Sequence, residues 1–381
     1  MKRLLRIISY IVVAAIASCI TMAVTYEEPA YSKLTELKNV IDYYFIDDAD
    51  PEALENAAAE AMVKALGDRW SYYMTAAEYK SYLERMNNAY VGIGVNITQR
   101  EDGYINIVKV EENGPAAEAG VQVGDLLTAV EGQDISALTI DEIKDMVRGK
   151  ENTTVQLTFE RDSETLILNV ERRSIKSIVV KSAMLEGNIG LVTIENFDRR
   201  CAEETLAAIE DLLAQGAKGL VFDVRFNPGG YKDELVEILD YLLPEGPLFR
   251  SVDFTGEESV EMSDEKCLDI PMVVLANGDS YSAAEFFAAA LQEYGAATIV
   301  GQPTTGKGHF QSNFKLSDGS AAVLSIGKYC TPNGVSLTDM GITPDVPVEV
   351  DEETYWKIYY EMIPPEEDPQ IQAALTALLN G

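Results

Sequence analysis

Histidine and positive charge are what this 381-residue sequence has least of. Its one histidine, His309, has no second imidazole with which to share a metal. The four cysteines (Cys19, Cys201, Cys267 and Cys330) fall in no C-x-x-C spacing. Both facts argue against zinc, and no metal or other cofactor is expected. Cys267 and Cys330 could pair in an oxidising compartment, given suitable geometry. Against 63 aspartates and glutamates stand only 30 lysines and arginines, a net charge of -33. Nucleic-acid affinity rests on basic side chains that neutralise phosphates, so nucleic acid is set aside as a partner. The acidity reads as a solvated surface rather than a site for a cationic partner. There is no low-complexity tract, and an apolar fraction of 47% suits folded domains of ordinary composition. The length calls for more than one of them.

The first residues differ from the rest. Lys2, Arg3 and Arg6 precede an apolar run from Ile7 to Val24, and Glu27 and Glu28 open a polar segment. At helical rise that run covers about 27 Å, enough to cross a bilayer core. Basic residues before it favour an N-in orientation with the body outside the cytoplasm. A cleaved signal peptide and a lipid-modified Cys19, following Ile16-Ala17-Ser18, are the rival readings; all three export the body. The expected arrangement is a single-pass anchor in the cell membrane.

Five regions follow from the patterning: a signal-anchor over 1–28, a helical region over 29–88, a β-rich domain over 89–174, an α/β core over 175–350 and a helical tail over 351–381. Leu34, Leu37, Val40 and Ile41 repeat at helical spacing, and Asp50-Pro51-Glu52 marks a helix start. Short alternating strands begin at Tyr90–Val95 and Tyr104–Val110, and a helix is expected over Ile140–Arg148. Further on, strands at Ile189–Ile194, Gly219–Val224 and Met272–Ala276 alternate with helices at Ala202–Leu213, Lys232–Leu243 and Ala283–Tyr294, as in a sheet covered by helices. Helices over Trp356–Met362 and Ile371–Leu379 are expected in the tail.

Two segments carry chemistry. Strand Met272–Ala276 ends in Asn277-Gly-Asp-Ser-Tyr-Ser282, and a helix begins at Ala283. A serine there meets free N–H groups and the positive end of the helix dipole, which favour developing negative charge. Ser282 could be a nucleophile with the Ala283 N–H as an oxyanion donor. Ser282-Ala-Ala-Glu285 is equally a capping box, and Ser280 is a rival nucleophile. The second segment is Gly306-Lys307-Gly308. Lys307 works as a base only if burial lowers its amine from about 10.4 towards ~7–8; otherwise it is a solvated turn. Gly301-Gln-Pro-Thr-Thr-Gly306-Lys307 also fits the front of a phosphate-binding loop. Position 308 is glycine where a hydroxyl must hold magnesium, and the following residues alternate as a strand.

Residues 89 to about 173 resemble a PDZ domain. Gly92-Ile93-Gly94-Val95 matches that family's carboxylate loop, and Gly124-Asp125 its strand-initiating turn. Such a loop holds a terminal carboxylate while a strand edge pairs with the peptide. Ser282-Ala-Ala-Glu285, Gly301-x-Pro-Thr-x-Gly-Lys-Gly308 and Gln311, together with Asp223-Val-Arg-Phe-Asn-Pro-Gly-Gly230, Tyr329-Cys-Thr-Pro-Asn-Gly334 and Gly341-Ile-Thr-Pro-Asp345, resemble the C-terminal processing peptidases. These are tail-specific serine peptidases with an inserted PDZ domain. The resemblance implies an α+β multidomain chain, in which the PDZ β-domain is inserted beside an α/β serine-peptidase core with helical ends. It makes Ser282 the nucleophile, Lys307 the base and Gln311 the residue that orients the lysine. It adds a second oxyanion N–H at Gly229 or Gly230. Substrates would be proteins or peptides with free C-termini, and a homodimer or an adaptor protein is a possible partner. Arg161, near the end of the last PDZ strands, is the candidate contact coupling PDZ domain to protease. His309-Phe310 departs from the family's usual residues, which makes His309 a strand-surface position or a neighbour tuning Lys307. A catalytically silent tail-binding adaptor at the membrane is the alternative function.

Overall fold

The computed structural model describes residues 29–380. The basic residues, the apolar run Ile7–Val24 and Cys19 lie outside the described residues. Among those described, no helix is long and apolar enough to cross a membrane. The chain divides at Leu66 into two compact units.

The first unit holds α1 (Pro29–Tyr44) and α2 (Pro51–Lys64). α2 begins as Asp50-Pro51 dictates. The Asp50 carboxylate accepts from the Glu52 N–H at 3.0 Å, and proline takes a position where its missing N–H is no loss. Leu34, Leu37 and Val40 of α1 are exposed.

The second unit opens with β1 (Tyr72–Met74) and α3 (Ala76–Met86), which a Thr75–Glu78 capping box starts. A β-domain follows. β2 (Ala89–Gly92), β3 (Val95–Gln99) and β4 (Ile105–Val110) lead to α4 (Pro115–Glu118), β5 (Leu126–Val130) and β6 (Gln133–Asp134). α5 (Ile140–Val147), β7 (Thr154–Arg161), β8 (Glu164–Glu171) and β9 (Arg173–Lys176) complete it. The sheet runs β3-β4-β5-β7-β8 over a core of Ile105, Ile107, Ile143, Leu157 and Phe159. The strand expected over Tyr90–Val95 breaks at Ile93-Gly94, because Gly94 turns the chain at φ 78°. β2 and β9 form an antiparallel ribbon from Ala89↔Lys176 to Gly92↔Arg173, through which this domain joins the rest.

The remaining chain builds two sheets. β10 (Val180–Leu185), β11 (Ile189–Ile194), α6 (Cys201–Ala214), β12 (Gly219–Asp223) and α7 (Lys232–Leu242) come first. After them come β13 (Gly246–Asp253), β14 (Glu258–Ser263), β15 (Met272–Ala276), α8 (Ala283–Glu293) and β16 (Ala297–Gly301). β17 (His309–Lys315), β18 (Ala321–Cys330), β19 (Val346–Pro347), α9 (Glu352–Tyr359) and α10 (Pro369–Asn380) end it. The central sheet has the order β10-β11-β12-β15-β16-β19, parallel except for β10. Its strands are apolar on both sides. Val192, Leu220, Phe222 and Val274 meet α6, α7 and α8, while Leu191, Val221, Val273 and Leu275 meet Ile371 and Ala374 of α10. The second sheet packs β17, β1 and β13 around β18. Two expectations shift. The tail helix expected over Trp356–Met362 starts earlier, where Asp351 accepts from the Thr354 N–H at 2.8 Å, and ends at Tyr359. Cys267 and Cys330 are free thiols, Cys330 at the end of β18 and Cys267 in the loop before β15.

Candidate active site

β12, β15 and β16 are parallel neighbours, so the turns that follow them emerge at the same edge of the sheet. Those turns are 224–231, 277–282 and 302–308, and they carry Gly229-Gly230, Ser282 and Lys307.

The turn after β15 is built on buried polar side chains. Asn277 accepts from the Phe226 N–H at 3.0 Å, and its own N–H donates to Ser280 Oγ at 3.0 Å. Ser280 Oγ donates to the Val224 carbonyl at 2.7 Å, and Ser280 is fully buried. The rival serine therefore pins this turn to its neighbour. Ser282, two residues on, has φ 60° and ψ -124°. For a residue with a Cβ that is a strained region, costing about 1–3 kcal/mol and kept only where its surroundings enforce it.

The enforcing group is Glu285, which is completely buried. Its Oε2 accepts from the N–H of Ser282 at 3.0 Å and from that of Lys307 at 2.8 Å. Its Oε1 accepts from the Thr304 hydroxyl at 2.6 Å and the Gly306 N–H at 2.7 Å. The glutamate half of the capping box is present, and the same carboxylate also fastens the lysine turn. The Lys307 ammonium makes no ion pair among the described residues. Its Nζ lies 4.8 Å from the centroid of the Trp70 ring and 5.7 Å from that of Tyr281. Burial pulls the amine down from 10.5 to about 8, against the pull of Glu285 and Asp68, with Arg69 assisting. The Gly-Lys-Gly segment is thus no solvated turn.

In the turn after β12, Asn227 is fully buried. Its amide donates to the Ile194 carbonyl at 2.7 Å, its Oδ1 accepts from the Gly229 N–H at 2.8 Å, and its backbone carbonyl accepts from the Tyr281 N–H at 3.1 Å. The Gly229 N–H is therefore engaged, so of the two glycines offered for the second oxyanion N–H it is not the one left open. The N–H groups of Gly230 and Ala283 have no acceptor among the described residues. Glycine is required at 229, with φ 85°, because a Cβ there would lie 2.7 Å from Ser282 Cβ and 2.8 Å from Ala283 N. Phe197 braces this turn by donating its N–H to the Gly229 carbonyl at 2.8 Å and accepting from the Tyr231 N–H at 2.7 Å. Arg225 is bound on both sides by Asp223 and by Asp368 of the segment before α10.

Gln311 does not reach the lysine. Its amide nitrogen donates to the His309 carbonyl at 3.0 Å and to Ser325 Oγ at 3.1 Å, and a β-bulge between Phe310 and Gln311 sets that direction. His309 is half-buried on β17, and its Nδ1 has no partner among the described residues. The sequence reading overlooked Asp68, Trp70 and Ser71. The only available hint was one of two tryptophans beside an Asp-x-x-Ser turn.

The second recognition element is the groove of the β-domain. It encloses about 180 Å³, lined by Ile93, Val95, Ile107, Ile143 and Phe159, with Lys144 and Arg148 on its helix side. Gly92, Ile93, Gly94 and Val95 all lie along it, and the N–H groups of Ile93 and Gly94 have no acceptor among the described residues. Arg161 is not at a domain junction. It forks onto the buried Asp125 at 2.6 and 2.7 Å and onto the Gly120 carbonyl at 2.8 Å, inside the β-domain. The junction lies elsewhere. Asn88 and Asn196 exchange side-chain hydrogen bonds at 2.9 and 3.0 Å, and Arg200 donates to the carbonyls of Asn88 and Ser177 at 2.9 and 2.7 Å. Those contacts join the foot of the ribbon to the segment that braces Gly229.

The sequence profile of peptidase family S41 matches residues 188–348, and that of a PDZ domain matches residues 107–161. The carboxy-terminal processing protease CtpA of Bacillus subtilis is 30% identical over 376 residues, covering 94% of this chain and 80% of that protein. A CtpA-like serine protease of Staphylococcus aureus is 33% identical over 329 residues, covering 84% of this chain and 65% of that protein. A solved structure of an S41 protease from Bacteroides fragilis superposes with a TM-score of 0.54 at 16% identity, over 88% of this chain and 92% of that one, a likeness of fold.

Proposed function

This chain belongs to peptidase family S41 as a C-terminal processing protease with a PDZ domain, and from that premise we propose that it is an exported endopeptidase using Ser282 and Lys307 on proteins selected by their tails. The observation that carries the reading is the shared carboxylate. Glu285 draws the nucleophile turn and the lysine turn together by their backbone N–H groups, and the Lys307 amine is shielded enough to be partly neutral near pH 8.

The chemistry follows. Neutral Lys307 takes the Ser282 hydroxyl proton as Oγ attacks the scissile carbonyl carbon. The carbonyl oxygen gains the negative charge and receives the N–H groups of Ala283 and Gly230. The tetrahedral intermediate collapses, the C–N bond breaks, and the lysine ammonium gives its proton to the leaving amine. Water, deprotonated by the same amine, then cleaves the ester and restores the serine. Gln311 supports this site through Ser325 rather than by touching the amine.

The groove beside Gly92–Val95 would take an extended tail, its carboxylate on the N–H groups of Ile93 and Gly94 and its last side chain among apolar residues. Export rests on Lys2, Arg3, Arg6 and the run Ile7–Val24, with Cys19 as the alternative lipid anchor. Fatty-acid label that wild type holds and Cys19→Ala loses would select the lipid anchor. A body resistant to external protease until lysis would overturn export altogether.

The catalytic reading is tested with an unfolded protein substrate. Ser282→Ala and Lys307→Ala should each abolish hydrolysis with melting temperatures unchanged. Full activity in either variant would falsify the assignment.

A further inference from the structure

The segment just before β1 has no part in the reading above, yet it closes the lysine side of the site. Asp68 makes a tight turn there, accepting from the Trp70 N–H at 3.1 Å and the Ser71 hydroxyl at 2.6 Å. Ser71 Oγ accepts from the Ser325 N–H at 2.9 Å, and the Ser325 hydroxyl reaches the Asp68 carboxylate. Gln311 donates to that same hydroxyl at 3.1 Å. β1 then pairs with β18 from Tyr72↔Val323 to Met74↔Ala321, so the turn is fixed to the sheet that carries Gln311 and Ser325. Held this way, the Trp70 ring stacks on Tyr281, centroids 5.9 Å apart and 30° from parallel, and both rings face Lys307 Nζ. Tyr281 is the residue before the nucleophile, so the stack ties the shield of the amine to the serine turn.

We propose that Trp70 is a positioning residue for the reaction: its ring excludes water from the Lys307 amine and sets its direction, with Asp68, Ser71, Ser325 and Gln311 as the frame that holds the ring. This rests on the reading of Lys307 as the base.

Two effects of the ring oppose each other. An aromatic face attracts an ammonium by about 0.5–2 kcal/mol, which favours the protonated amine. Excluding water disfavours it. The charged groups that bear on the amine are Glu285 on α8, and Asp68 and Arg69 on the segment itself. His309 acts on Asp68. The two carboxylates favour the ammonium and Arg69 opposes it. The amine is nevertheless far below its ordinary value, so the loss of water outweighs the attraction of the two carboxylates; under the proposal the ring's exclusion of water likewise exceeds its own attraction for the ammonium.

The experiment is the pH dependence of kcat for wild type, Trp70→Ala and Trp70→Phe on one peptide, with thermal melts alongside. Trp70→Ala admits water, so its acid limb should move up by about one unit, a loss of about tenfold at pH 7.5 that recovers to within about threefold of wild type at pH 10. Trp70→Phe keeps the cover and should hold the limb within about 0.3 unit of wild type. A second measurement does not need turnover. In the Ser282→Ala background, acylation of Lys307 by an amine-directed reagent at pH 8, read by mass spectrometry, should be about fivefold slower when Trp70 is alanine. An unmoved limb in Trp70→Ala, or equal acylation rates, overturns the proposal. If Lys307→Ala is itself active, the reading of the base fails instead. The two failures are therefore distinct.

Discussion

Ser282 and Lys307, 25 residues apart in sequence, hang by their backbone N–H groups from one oxygen of Glu285, at 3.0 and 2.8 Å. One carboxylate therefore both caps a helix and holds the lysine turn beside it. An amide in its place offers one acceptor oxygen for two turns, and each buried N–H left over costs about 1–3 kcal/mol. Glu285→Gln should lower kcat by about tenfold or more and destabilise the protein by about 2 kcal/mol. Its acid limb should nevertheless move to lower pH, because the lost charge had favoured the lysine ammonium. Denaturant melts and a pH profile read the two effects separately, and a limb displaced upward would contradict the account.

For the wild-type enzyme the sign is fixed by which form works. With neutral Lys307 as the proposed base and its amine at about 8, kcat should fall about tenfold per pH unit well below that value. His309→Asn should keep this limb. Its disappearance in that variant would hand the base role to the imidazole.

Asp198 gives a stability prediction away from the chemistry. It is 5% exposed, its Oδ1 has no partner among the described residues, and burial pushes its carboxyl up to about 7. An unfolded aspartate titrates near ~3.9. Between these values the folded chain keeps a proton that the unfolded chain has released, so stability falls as pH rises through the window. Asp198→Asn should stabilise the protein at pH 8 by on the order of 2 kcal/mol, with no difference at pH 3.5. Equal gains at both pH values would show that charge is not the cause.

Tail sensing should pass through the foot of the ribbon. Asn196→Ala and Arg200→Ala cut the contacts between Asn88, Ser177 and the segment that braces Gly229. Wild type should cleave a free-acid peptide at least about fivefold faster than its C-terminal amide, if the groove couples at about 1 kcal/mol. In either variant that ratio should fall towards one, while Arg161→Ala should mainly lower stability, since its partner Asp125 is buried. Rate ratios on the paired peptides, set beside thermal melts, decide it.

Much of this was legible in the chain. Gly219–Asp223 and Met272–Ala276 are apolar without interruption because both faces of a parallel sheet are covered, and that pattern survives in sequence. Ser282 and Lys307 were visible through their motifs, though not through their local chemistry, since a serine before a helix is usually only a cap. What sequence could not convey was direction. Gln311 points to Ser325 because of a bulge one residue earlier, and Arg161 folds back on Asp125. Trp70 approaches Lys307 only because β1 and β17 flank the same strand, β18. Contacts made across a sheet between distant segments leave no periodicity to read.

The ribbon of β2 and β9 has a further consequence. The chain leaves the peptidase at Ala89 and returns at Lys176, directly across one antiparallel pair. Opposed residues in such a pair sit only about 5 Å apart. To the peptidase, an 88-residue excursion therefore enters and leaves as a hairpin loop does. The neck is a two-strand mount. Any module whose two ends meet at strand spacing fits the geometry of that neck.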